Sequence, residues 1–302
     1  MNLRDGCLAL ALLVSCCNAF AADIKCDEQD RHVIDAYDPG ADTAKRQQAV
    51  EWLIAGASLC PTSVYPLGQL YRHGSELPGN LLAKNVQKAQ ELILASAEDG
   101  YLFAYADLAE MALNEKQPRE AMKWTQVYLY FLTRHSDRFD RGSGSFDRSG
   151  YNAELLARAT VAGEAAKPRL SRKLIRADLA DYLQSREAAV AAKLLEREEK
   201  RMASTSSAAS ASDKLRIKGG KGACFANPTS LATGYATYLL EVQPSGVVSR
   251  VVLENFSPDL RIDEALRRCV EVYQFDAFAG DQPQVIRIPA VYGYRNRSQL
   301  KF

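Results

Sequence analysis

The sequence predicts two units in series, an α-helical repeat solenoid (α/α) followed by a small α+β unit. Three observations carry that expectation. Between 44 and 132, apolar and small residues recur at helical spacing with a break every dozen or so residues. At 203–212 the stretch "ASTSSAASAS" has no apolar face and reads as a flexible linker. Beyond it, 235–242 alternates, and Leu266, Cys269, Val270 and Tyr273 then stand at i, i+3, i+4 and i+7. The expected division is a signal peptide at 1–21, a helical repeat domain at 22–202, a Ser/Ala linker at 203–213 and an α+β domain at 214–302.

The N-terminus reads as an export signal. Arg4 precedes a short apolar run at 7–14, and Ala19-Phe20-Ala21 places small residues around a cleavage position before Ala22. Leu13-Val14-Ser15-Cys16 also resembles a lipobox, so a lipoprotein anchored at Cys16 is the alternative. The run is shorter than the roughly 20 residues a span needs, and the mature chain is expected to carry no integral membrane span. Removal of the signal leaves Cys26, Cys60, Cys224 and Cys269. In an oxidising compartment such as the periplasm these allow three full pairings, of which Cys26–Cys60 with Cys224–Cys269 is the most economical. Four buried thiols are the alternative.

Helices are expected at 44–59, 64–73, 85–98, 101–113 and 118–133, with Gly74 and Gly100 at C-terminal caps and Pro118 in a first turn. Trp124, Tyr128, Tyr130 and Phe131 read as packing residues. The segment 134–150 breaks the pattern with glycine and serine; its His135, Ser136 and Asp137 are adjacent and cannot assemble a hydrolase triad, which draws on separated segments. A long helical stretch at 151–202, interrupted near Pro168, carries Leu179, Leu183, Val190 and Leu194 on one stripe; it is expected to dock along the preceding helices, with a projecting spacer as the alternative.

The stretch "YPLGQLYRHGSELPGNLLAKNVQKAQELILASAEDGY" resembles a Sel-one-like repeat, a relative of the tetratricopeptide repeat. The family's positions fall on Leu67, Gly68, Leu70, Tyr71, Gly74, Lys88, Ala89, Ala97 and Gly100. The next unit keeps alanines and Trp124 but lacks both diagnostic glycines. The resemblance covers roughly 45–133 and implies a surface that docks proteins.

In the second unit, the strand expected at 235–242 is half-buried, with Ala236, Tyr238, Leu240 and Val242 on one face. Pro244-Ser245-Gly246 turns into a second strand at 247–253, Asp263 opens a helix whose apolar stripe lies on the sheet, and 285–292 supplies a third strand. The order resembles the TonB C-terminal domain at Gly246, Val248, Val251, Asp263, Ala265, Leu266, Tyr273, Phe275, Ile288 and Pro289. Two departures stand out: Tyr273-Gln274 replaces a tryptophan-arginine pair, and Asn255-Phe256-Ser257-Pro258 replaces a small turn. The resemblance implies a Gram-negative cell envelope. It also implies strand addition at an edge formed by Gln284, Val285, Ile286, Arg287, Ile288, Val291 and Tyr292, where backbone groups supply affinity and alternate side chains select the partner; an edge that is shielded, or self-paired in a dimer, is the alternative.

With 38 basic and 37 acidic residues the chain has a net charge of +1, which gives no field for nucleic acid, and no nucleic-acid partner is expected. His32, His73 and His135 share no metal-ligand spacing, and no Cys-x-x-Cys occurs. Lys218-Gly219-Gly220-Lys221-Gly222 lacks phosphate-loop spacing. Carboxylates are too many to single out. No catalytic residue, cofactor or metal is therefore expected. The reading is a non-enzymatic periplasmic adaptor or scaffold that binds envelope proteins. A component of TonB-type energy transduction or receptor coupling is the alternative, and a hydrolase with an unrecognised site a weaker one.

Overall fold

A computed structural model describes residues 25–26, 29–135, 150–206 and 233–292. The expected signal peptide and Cys16, most of the 134–150 segment, Cys224, the glycines at 218–222 and linker residues 207–213 lie outside the described residues.

The described chain is mostly helical and ends in a small antiparallel sheet. In order, its helices are α1 (Gln29–Tyr37), α2 (Thr43–Gly56), α3 (Pro61–His73), α4 (Val86–Glu98), α5 (Phe103–Asn114), α6 (Pro118–Arg134), α7 (Tyr151–Ala165) and α8 (Arg172–Ser206). β1 (Gly234–Val242), β2 (Val248–Ser257), α9 (Arg261–Glu271) and β3 (Gln284–Tyr292) follow. None of these helices is long and apolar enough to cross a membrane.

Local chemistry sets the helix ends. Asp42 caps α2 by accepting from the amides of Ala44 (2.8 Å) and Lys45 (3.3 Å), and Asn85 caps α4 through the Lys88 amide at 3.0 Å. Pro61 and Pro118 open α3 and α6, where a missing N–H costs nothing. Gly74 ends α3 at φ 53°, a conformation glycine adopts freely, and a Cβ there would meet the Lys84 amide nitrogen at 2.6 Å. α1 is an addition to the sequence expectation.

Neighbouring helices pack in succession: α1 on α2, α3 on α4, α5 on α6, with α2–α3 and α4–α5 contacts linking the pairs. Gly68 lets α3 and α4 pack closely, since a Cβ there would lie 2.9 Å from Ile93 Cγ1. α8 lies across α4 and α6, burying Val190 and Leu194 completely and Leu179 and Leu183 in part. It runs to Ser206, four residues into the expected linker, because its Ala/Ser composition is compatible with continued helix.

The sheet order is β2-β1-β3, antiparallel throughout. β2 extends four residues past its expected end, and Asn255–Ser257, read from sequence as a turn, pair with Tyr235–Thr237 of β1. A register shift at Glu254 brings them into line. α9 lies across all three strands and buries Ile262, Leu266, Cys269 and Val270.

β1 differs most from expectation. It is buried on both faces rather than one. Tyr238 reaches Asp263 of α9 at 2.8 Å, whereas Tyr235, next but two along the strand, bonds to α5 on the opposite side. The alternation was real, but its polar face meets polar groups of the helices instead of water. Val33, Ile34, Leu53 and Leu70 accordingly share a continuous core with Leu239, Leu253 and Phe256. Tyr235 and Val291 join a second core with Tyr105, Tyr128 and Phe131. Helices and sheet are separate in sequence and joined in packing.

Candidate functional site

α5 is buried from Ala104 to Ala112 in a run of alanines, yet it contains Asp107 and Glu110. Charges in such a place persist only when paired and hydrogen-bonded. Asp107 Oδ1 accepts from Arg72 Nη1 (2.5 Å), Asn255 Nδ2 (3.0 Å) and Tyr235 Oη; Oδ2 accepts from Tyr65 Oη (2.8 Å) and Gln69 Nε2 (2.9 Å). Five donors from α3, β1 and β2 therefore converge on one carboxylate. Helical spacing explains part of this: Tyr65, Gln69 and Arg72 stand at i, i+4 and i+7 on α3 and form one polar stripe.

The network continues through Asn255, whose Oδ1 accepts from Arg72 Nη1 at 3.2 Å and lies 2.9 Å from His73 Nε2. Because Asn255 Nδ2 donates to Asp107, its oxygen must face His73, and His73 Nε2 carries the proton. The His73 ring stacks on Phe256 at 4.1 Å. Burial, and after it the Arg72 charge, hold His73 well below the usual imidazole range, so it is a neutral donor. Burial and then the Asp107 charge push the Tyr65 and Tyr235 hydroxyls far above the ordinary phenol value, so both remain donors. Burial opposes the Arg72 charge, but Asp107 more than offsets that and keeps the guanidinium protonated.

Three further clusters surround this hub. Glu110 accepts from Tyr151 Oη (2.8 Å) and from both terminal nitrogens of Arg158 on α7. Glu254, fully buried on β2, receives Arg287 of β3 at 2.5 and 2.6 Å, and that guanidinium lies 5.7 Å from the Tyr65 ring centroid. Arg250 of β2 holds Glu241 at 2.6 Å and reaches Asp35 of α1 at 2.8 Å and Asp38, just past that helix, at 3.3 Å. An open cleft borders the hub, lined by Arg72, His73, Lys84, Met111, Glu115 and Phe256. The arrangement fixes the sheet to the helices: a carboxylate occupied by five donors is an anchoring group.

Of the residues singled out in the sequence, Cys26 and Cys60 form a disulfide with Cα atoms 5.6 Å apart, tying the start of the described chain to the first turn of α3. Cys269 is buried on α9 and its expected partner Cys224 lies outside the described residues. Gln284, Val285, Ile286, Arg287, Ile288, Val291 and Tyr292 all fall on β3, which pairs with β1 on one side and with no other strand among the described residues. Ile286 and Ile288 are registered with Leu240 and Tyr238 on the α9 face, whereas Arg287 and Val291 reach the helices. Both faces of β3 are thus engaged, and its second backbone edge pairs with no strand among the described residues. No group of acidic, histidine or cysteine side chains suited to a metal occurs among the described residues.

Sequence reading missed the hub. A usable signal was present: in "AYADLAEMALN", Asp107 and Glu110 interrupt an otherwise apolar helix, where carboxylates are costly. Compared with protein-family models, curated proteins and solved structures, the chain matches none.

Proposed function

We propose that this chain is a non-enzymatic adaptor of the bacterial periplasm. It binds other envelope proteins through a Sel-one-like helical-repeat surface and through strand addition at β3 of a TonB C-terminal-like sheet. One observation carries the reading: the Asp107 network locks the sheet onto the helices while leaving β3 as an edge strand of the described sheet. Rigid presentation of a strand edge lowers the ordering cost of binding an extended peptide. The Cys26–Cys60 bridge supports an oxidising compartment, where such bonds form and persist.

The test uses the full chain, because separating helices from sheet would expose their shared core. A photocrosslinking residue replaces Gln284 on β3 or Ile54 on the exposed face of α2, and the protein is irradiated in intact cells. Discrete envelope-protein adducts at these positions are expected. Absence of adducts at both, with the chain exported and folded, overturns the proposal.

A further inference from the structure

His73 ends α3 where that helix meets β2, and it is only 5% exposed. Its Nε2–H is committed to Asn255 Oδ1, which Arg72 Nη1 also contacts. A second proton can only enter at Nδ1, on the side of the ring that no hydrogen bond among the described residues uses. The charged groups around the ring offer little to a new cation. On α3, Arg72 repels it; in the following loop, Lys84 adds to the repulsion while pairing with Glu76 at 3.1 Å. Asp107 of α5 is already engaged by five donors, and Glu254 of β2 is held by Arg287. Glu115, at the C-terminal end of α5, is an exposed residue on the cleft rim. From β2 the ring meets the uncharged Asn255 and Phe256.

We propose that the seam between α3 and β2 is an acid-sensitive latch, in which protonation of His73 opens the contact between helices and sheet. The charged ring would be buried beside Arg72 without a free counter-ion, so the imidazolium is favoured where water reaches it. Opening separates Phe256 and Asn255 from α3 and frees β2 and β1 from their helical support. The direction follows from linkage. In the docked state the ring holds its proton more weakly than in the opened or unfolded state, whose imidazole titrates near ~6.5. Docking is therefore at full strength above that pH. Below it the ratio of docked to opened molecules falls by about tenfold per pH unit until the docked-state value is reached.

Amide hydrogen exchange of β1 and β2, corrected for intrinsic rates, tests this on the oxidised full chain between pH 5.0 and 7.5. The wild type should lose protection by about tenfold per pH unit below ~6.5, and His73→Gln, which keeps a donor for Asn255, should show no such slope. His32→Gln and His135→Gln should behave as wild type. An equal slope in His73→Gln overturns the proposal. Should that variant fail to fold, NMR titration of the wild-type imidazoles decides. A ring that stays neutral until β1 and β2 lose protection supports the latch, and one that charges while the sheet stays protected overturns it.

Discussion

Arg72 Nη1 lies 2.5 Å from Asp107 Oδ1, and both side chains are almost wholly buried. An isolated buried ion pair is often replaceable by apolar residues at no loss. This one differs because Tyr65, Gln69, Tyr235 and Asn255 share the same carboxylate. Asp107→Ala should therefore cost about 3–5 kcal/mol in urea unfolding, the range for stranding a buried charge. Adding Arg72→Met should recover only part of it, since the remaining donors stay orphaned. Full recovery in the double variant would show that the pair acts alone.

Gly68 faces Ile93 so closely that a Cβ would sit 2.9 Å from Ile93 Cγ1. Gly68→Ala should cost about 1–2 kcal/mol, overpacking outweighing the gain in helix propensity. Ile93→Ala alone should cost about 2–5 kcal/mol by leaving a cavity. Combined, the two should cost less than their sum, because the new methyl enters the space Ile93 vacates. Strict additivity in thermal unfolding would place the strain elsewhere.

Cys26 and Cys60 are separated by 34 positions. Closing a loop of that size restrains the unfolded chain enough to contribute about 3–4 kcal/mol in the chain-entropy account. The Cys26→Ser/Cys60→Ser variant should lose stability of that order, with α1 and the start of α3 losing exchange protection first. Unchanged stability against wild type would show that the bridge is not formed in solution.

The helices were legible because their signals are local: the 3.6-residue period, Pro at first turns, Gly74 and Gly100 at ends. α1 escaped because polar residues open it and its buried Val33, Ile34, Ala36 and Tyr37 make too short a stripe. The extension of β2 escaped because Asn255 and Ser257 are turn formers whose strand geometry is imposed by β1. The hub is non-local by nature. Tyr235 and Asn255 lie 128 and 148 positions from Asp107, and no periodicity links residues so far apart. Burial of β1 on both faces was hidden for the same reason, since its polar face matches helices that sequence spacing does not identify.

Glu254 and Arg287 form a pair with unequal surroundings, Glu254 being 0% and Arg287 34% exposed. That inequality predicts unequal costs. Removing Arg287 strands a carboxylate that cannot reach water, whereas removing Glu254 leaves an arginine whose side chain is a third exposed and whose guanidinium, although burial opposes its charge, still rests over the Tyr65 ring. Arg287→Met should cost about 3–5 kcal/mol in urea unfolding. Glu254→Gln, which retains the shape of the acceptor, should cost about 1–3 kcal/mol. Arg287→Lys should recover only part of the loss, because an ammonium cannot make the two parallel bonds that the guanidinium makes at 2.5 and 2.6 Å. Arg287 also spans from β3 to β2 across β1, so its loss should loosen the edge strand first. Exchange protection of β3 should fall in Arg287→Met by more than protection of α9 does. The opposite order, with Glu254→Gln the costlier change, would mean that Arg287 rather than Glu254 is the group that depends on the pair.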